Sequence, residues 1–165
     1  MYKRILVPLE HTAYDAAILD HVGRLARFCG AEVVLMHVAD GFAARNVRTL
    51  NLRESEEIRT DREYLEQLCA RLEQEGVSAD CLLAGGDPAA EITAAAEREG
   101  CDLIAMSTHG HRFLQDLVRG GVASEVRHRS FVPVLLVRGN PQGGGTQAAG
   151  APGQGASTPQ QSGPE

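Results

Sequence analysis

Short unbroken apolar runs alternate along this chain with stretches whose apolar residues recur every three or four positions. Ile5-Leu6-Val7 centres a first run from Tyr2 to Leu9, and Val33-Val34-Leu35-Met36 a second from Ala31 to Val38. Ala79 to Leu83 makes a third, Leu103-Ile104-Ala105-Met106 a fourth and Val134-Leu135-Leu136-Val137 a fifth. Runs this short, with no polar alternation, read as strands covered on both faces. Between them, Ile18, Val22, Leu25 and Cys29 fall at helical spacing and predict a helix from Ala13 to Cys29, with Thr12 as its N-cap and Gly30 as its stop. Ile58, Leu65, Leu68, Cys69 and Leu72 share one face of a longer helix from Arg53 to Glu75, ended by Gly76. Asp40 to Leu52 has no clear period and reads as a loop. Asp87 suits an N-cap and Pro88 the first turn of a helix running to Arg98. A last helix opens at Gly120-Gly121, and its final turn carries Arg127-His128-Arg129, where cations suit the helix dipole. Five strands separated by four helical segments predict a doubly wound α/β sandwich around a parallel sheet.

Composition narrows this picture. At 165 residues the chain fits one domain, from Met1 to Arg138, and its 43% hydrophobic content is enough for a core. The remainder, Gly139 to Glu165, is rich in Gly, Pro, Gln, Ser, Thr and Ala with one charge, Glu165. It lacks the apolar surface to offset its ordering entropy, so a disordered tail is expected. A net charge of −6 argues against general nucleic-acid binding. No apolar run is long enough for a membrane span, and the start shows no signal-peptide pattern. Four widely spaced cysteines, Cys29, Cys69, Cys81 and Cys101, read as reduced and mostly buried thiols. A cytoplasmic protein is the expectation.

In a sheet wound this way, ligands sit beyond the carboxyl ends of the strands, where the strand order reverses. The residues there are Pro8-Leu9-Glu10, Val38-Ala39-Asp40, Ala84-Gly85-Gly86 and Ser107-Thr108-His109-Gly110. The last of these reads as a glycine-containing loop between the fourth strand and the final helix. Backbone N–H groups in such a loop, together with a helix N-terminus, favour an anion. A nucleotide or another phosphorylated small ligand is the expected occupant.

The whole body resembles the universal stress protein family. The matching pieces are Arg4-Ile5-Leu6-Val7-Pro8, His37-Val38, Gly86-Asp87-Pro88 before Glu91-Ile92, and Asp102 to Met106 before Ser107 to Gly110. Gly120-Gly121-Val122 leading to Val132 to Arg138 also fits. The resemblance implies strand order 3-2-1-4-5 and a homodimer in which Val134, Leu135, Leu136 and Val137 of two copies pair; the same residues read equally as core. The ATP-binding branch of the family carries Gly-x2-Gly-x9-Gly-Ser/Thr. Here Gly110 and Gly120 match, Ser107 replaces the first glycine, and Gly121 replaces the hydroxyl-bearing residue. Losing a hydroxyl bonded to a charged oxygen costs roughly 1.5–3 kcal/mol, about ten- to more than a hundredfold in affinity. Glu10 stands where the family's ATP binders carry Asp; it is either a ribose or adenine acceptor or a solvated loop side chain. By the same resemblance, Pro8, Leu9, Val38 and Met106 shape an adenine pocket, and Ser107, His109, Gly110, Gly120, Gly121 and Val122 border the phosphates. ATP, with Mg2+ accompanying it, is the implied cofactor.

The remaining candidates are weaker. His109 and His111 flank Gly110, and His11 follows the first strand; imidazole contact with phosphate and plain loop packing both fit, and a metal site needs ligands that converge in space. Arg112 and Arg119 border the same loop, either as phosphate partners or as surface residues. Asp87 and Glu91 fit a helix start better than a catalytic pair. No Walker loop, nucleophile elbow or catalytic triad is legible, so no catalytic base is nominated and at most a slow ATP hydrolysis is expected. The function indicated is a stress-response regulatory module that binds an adenine nucleotide; the alternative is a nucleotide-independent dimer acting through protein contacts.

Overall fold

A computed structural model describes residues 1–39, 56–109 and 121–139 of the chain. The expected loop from Asp40 to Leu52, the glycines Gly110 and Gly120, and His111, Arg112 and Arg119 lie outside the described residues. So does the tail from Asn140 onward.

Five strands, β1 (Arg4–Leu9), β2 (Glu32–Ala39), β3 (Ala79–Gly85), β4 (Leu103–His109) and β5 (Val134–Gly139), form one parallel sheet of order β3-β2-β1-β4-β5. Among the described residues four helices cross over between them: α1 (Asp15–Cys29), α2 (Glu56–Gln74), α3 (Pro88–Arg98) and α4 (Val122–Arg129). Alternate residues of the central strands feed two cores. Ile5, Val7, Val33, Leu35 and Ala105 pack with Ile18, Val22, Leu65 and Leu72 from α1 and α2. Leu6, Val34, Met36 and Ile104 pack with Ile92, Ala95, Ala96 and Val126 from α3 and α4. Both faces are therefore buried, which is why these strands read as unbroken apolar runs.

The ends of the elements follow local chemistry with two exceptions. Gly30 closes α1 in the left-handed region at φ 66°, and Gly76 follows α2 at φ 80°. The Asp87 carboxylate accepts the Ala90 N–H at 2.9 Å and Pro88 opens α3, as the sequence predicts. Thr12, however, is not the cap of α1. The helix starts at Asp15, and Tyr14 before it makes no side-chain cap bond. The Asp15 carboxylate instead accepts the Thr12 N–H at 3.0 Å and the Glu10 N–H at 3.3 Å. The second exception is β4. Ser107, Thr108 and His109, expected in a loop, extend the strand and pair with Val137, Arg138 and Gly139 of β5. Once β5 offers a ladder, backbone pairing outweighs the small-residue composition. Gly139, expected to open the tail, is accordingly the last residue of β5.

The cysteines also depart from expectation. Cys69 on α2 and Cys81 on β3 are joined as a disulfide with their Cα atoms 6.5 Å apart, while Cys29 and Cys101 are free. The helix lies against the strand and brings the two together, a contact that linear spacing does not show. The argument for a cytoplasmic setting from four reduced thiols is lost with it. No helix among the described residues is long and apolar enough to cross a membrane.

Leu35 is fully buried in the centre of the sheet. Leu35→Ala should lower the free energy of unfolding by about 2–5 kcal/mol, read from urea denaturation, with the urea dependence unchanged.

Candidate functional site

The strand order reverses between β1 and β4, and there the carboxyl ends of β1, β2 and β4 meet the first turns of α3 and α4. The space between them is a pocket of about 230 Å3, lined by Pro8, Leu9, Glu10, His37, Val38, Pro88, Ile92, Met106, Ser107 and Val122. Two helix N-termini therefore border one cavity: that of α3 is capped by the Asp87 carboxylate, while that of α4 has no side-chain cap bond. Gly121 is the N-cap of α4, with an extended backbone, and its carbonyl accepts the Ser124 and Glu125 N–H groups at 2.8 and 3.1 Å.

Behind the β1 and β2 ends lies a polar network. His37 Nδ1 donates to the Leu9 carbonyl at 2.9 Å, and its Nε2 faces Asp61 Oδ2 on α2 at 3.4 Å. Asp61 Oδ1 meets His11 Nδ1 at 3.0 Å. The His11 ring stacks on Tyr64 at 3.9 Å between centroids, and the Tyr64 hydroxyl donates to Asp15 Oδ2 at 2.9 Å. Asp15 and Asp61 are both buried, at 1% and 8% exposure, and both are satisfied by these bonds. His11 itself sits in the left-handed region at φ 58°, an uncommon conformation for a side-chain-bearing residue. Elsewhere, burial pushes the Cys101 thiol up to about 11, so it is not an available nucleophile at neutral pH.

Comparison with known proteins identifies the family. The profile of the universal stress protein family matches residues 1–138. Universal stress protein MJ0577 of Methanocaldococcus jannaschii is 30% identical over 155 residues, covering 84% of this chain and 96% of that protein. The chain belongs to the universal stress protein family. A solved structure of MJ0577 superimposes with a TM-score of 0.71 at 30% identity, over 85% of this chain and 98% of that one. Two more distant structures share the fold. One is a universal stress protein in complex with cAMP, with a TM-score of 0.63 at 17% identity over 83% of this chain and 97% of its own. The other is the Archaeoglobus fulgidus protein in complex with dAMP, with a TM-score of 0.60 at 21% identity over 82% and 97%.

Within this universal stress protein domain, the pocket gathers seven of the residues singled out from the sequence: Pro8, Leu9, Glu10, Val38, Met106, Ser107 and Val122. Gly121 lies next to it. His109 ends β4 beside the site, and Gly110 and Gly120 fall outside the described residues. Sequence reasoning missed three lining residues, His37, Pro88 and Ile92. The sequence marks Pro88 only as a helix start and Ile92 only as part of a family-matching piece, although the loop before them is marked by its position after a strand. His37 carried no signal beyond its place before Val38. It faces Asp61, which is distant in sequence.

Burial, followed by the hydrogen bond to Asp15, raises the Tyr64 phenol well above the usual tyrosine range. A phenol raised on folding contributes stability that is complete below the unfolded-state value near 10 and lost as pH rises through the folded value. Tyrosinate absorbance should therefore show a component from Tyr64 that ionises above the usual tyrosine range. Tyr64→Phe should remove that late component and make alkaline unfolding less steep than in the parent.

Proposed function

We propose that this protein is a stress-response regulatory module that binds ATP or a related adenine nucleotide in this pocket. The convergence of three strand ends and two helix N-termini on one cavity carries the reading, because it joins apolar walls to an anion-favouring edge. The cAMP and dAMP complexes of two distant relatives support the adenine class. Pro8, Val38, Ile92 and Met106 supply the walls for a base, and Glu10 is the acceptor for a ribose hydroxyl or the adenine amine. Ser107, Gly121, Val122 and the first turn of α4 border the phosphate side, to which His109, Gly110 and Gly120 also belong in this reading. About 230 Å3 suits a nucleoside better than a whole triphosphate. Mg2+ would travel with the phosphates, whose oxygens and waters supply most of its coordination. No residue is assigned to hydrolysis.

A second reading rests on β5. It is an edge strand of the sheet, and Leu136 is 37% exposed on it. Pairing of Val134 to Val137 between two copies would cover that edge and give a homodimer that acts through protein contacts. Gly121, which lacks the family's phosphate-binding hydroxyl, favours this reading over tight ATP binding.

Heat-released ligand analysed by mass spectrometry, then titration of the stripped protein with AMP and ATP, separates the two. Binding well below about 1 mM is expected, weakened at least about tenfold by Val122→Glu. That variant sets a carboxylate at the pocket's anion edge, while a helix N-terminus tolerates an acidic residue. A nucleotide-free protein giving no heat with either ligand would reject the first reading in favour of the second.

A further inference from the structure

Alternate residues of a strand share a face, and Ala79 and Leu83 of β3 pack against the core that α1 and α2 cover. Cys81, between them, therefore faces α2, where Cys69 shares the buried side with Leu65 and Leu72. That is how two residues 12 positions apart come to be joined as a disulfide. Their surroundings differ. Cys69 is 7% exposed within the core, whereas Cys81 is exposed on β3, an edge strand of the sheet. The Cys81 sulfur also lies 3.3 Å from the Leu65 carbonyl on α2, so a reduced Cys81 thiol has an acceptor in place. A reduced Cys69 is a small apolar side chain in an apolar core. Both redox states are thus compatible with one backbone, and the covalent bond can open without stranding a buried polar group. The other two cysteines stand apart from this pair: Cys29 is half-buried and free, and Cys101 is buried in the other core.

We propose that Cys69 and Cys81 form a reversible redox latch, opened and closed by thiol–disulfide exchange at Cys81, that sets how firmly α2 is held against the edge of the sheet. Its reactants are small-molecule thiols and their disulfides. In the opening direction a thiolate attacks the Cys81 sulfur and forms a mixed disulfide. The Cys69–Cys81 bond breaks, and its electron pair leaves on Cys69, which takes up a proton. A second thiolate attacks the external sulfur of the mixed disulfide and releases Cys81, which is protonated in turn. The pair has then gained two electrons and two protons, and two small thiols have become one small disulfide. Closing is the reverse, with that disulfide as the oxidant. The closed cross-link restricts what α2 can explore when it detaches, so opening it lowers the cost of local unfolding. Asp61 and Tyr64, which reach His11, His37 and Asp15 behind the pocket, lie on the same helix within about two turns of Cys69. The latch therefore acts on the helix behind the pocket, and it does so whether or not a nucleotide is the ligand.

The full chain, equilibrated without denaturant at set ratios of reduced to oxidised glutathione and quenched by alkylation, tests this by mass spectrometry. A single two-electron transition should appear, with Cys69 and Cys81 alkylated together at the reducing end and linked at the oxidising end. In Cys69→Ser, glutathione should add to Cys81. In Cys81→Ser, Cys69 should stay free of it, and glutathione on Cys69 there would overturn attack at Cys81. Hydrogen exchange on the same samples is the second measurement. Amides of α2 from Asp61 to Leu72 should exchange at least about threefold faster with the latch open. Cys81→Ser, a change at an exposed position, should hold the open-form rate at every ratio. A disulfide that opens only in denaturant is a fixed staple and overturns the proposal. So does a pair that stays reduced at the oxidising end, or an α2 exchange rate that is the same in both states.

Discussion

Covering both faces of the central strands is the constraint on which this molecule depends. Ile5, Leu6 and Val7 are consecutive and all fully buried, so β1 needs helices on each side of it. Parallel pairing then follows, because each strand must return through a helix before it can pair again. Placing β2 and β3 on one side of β1 and β4 and β5 on the other creates the reversal of strand order. The crevice at that reversal is a consequence of the winding. Its position was fixed before any side chain was chosen to recognise a ligand.

The two ends of the sheet are stabilised differently. At the amino ends, Arg4 pairs with Glu32 and Asp80 at 2.5 and 2.6 Å, and the Asp102 carboxylate accepts the Lys3 and Arg4 N–H groups. These contacts lie near the surface and join strand starts. At the carboxyl ends, Asp15, Asp61, Tyr64, His11 and His37 form a more buried set. Buried polar networks of this kind are costly when incomplete and restrictive when satisfied. This one holds the turn after β1 and the end of β2 to α2, and so shapes the pocket from behind. The pocket draws on both sources: strand and helix ends supplied by the winding, and a side-chain network supplied by elements remote in sequence.

The fold was largely legible because its signals are local. Apolar runs marked β1, β2 and β4; Gly30, Gly76, Asp87 and Pro88 marked helix ends through their own backbone preferences. The errors have two causes. Ser107 and His109 looked like loop residues, yet β5 gave them partners. Thr12 looked like a cap, yet Asp15 took the turn's N–H groups. In the first case a distant strand displaced the local preference, and in the second a neighbouring carboxylate within the same turn did. For the site, residues placed by the after-strand rule and by family resemblance reached the pocket, while His37 did not stand out because its partner Asp61 is on a different element.

The sequence by itself determined the alternation of strands and helices, the burial of the sheet, the family, and the end of the sheet at which the pocket lies. Periodicity and turn chemistry act over a few residues and survive in a linear reading. Only the tertiary structure decided that β4 runs on through His109, that Cys69 meets Cys81, and that His37, Asp61 and His11 meet behind the pocket. These are pairings between distant segments, and their energies depend on geometry in space that no spacing along the chain encodes.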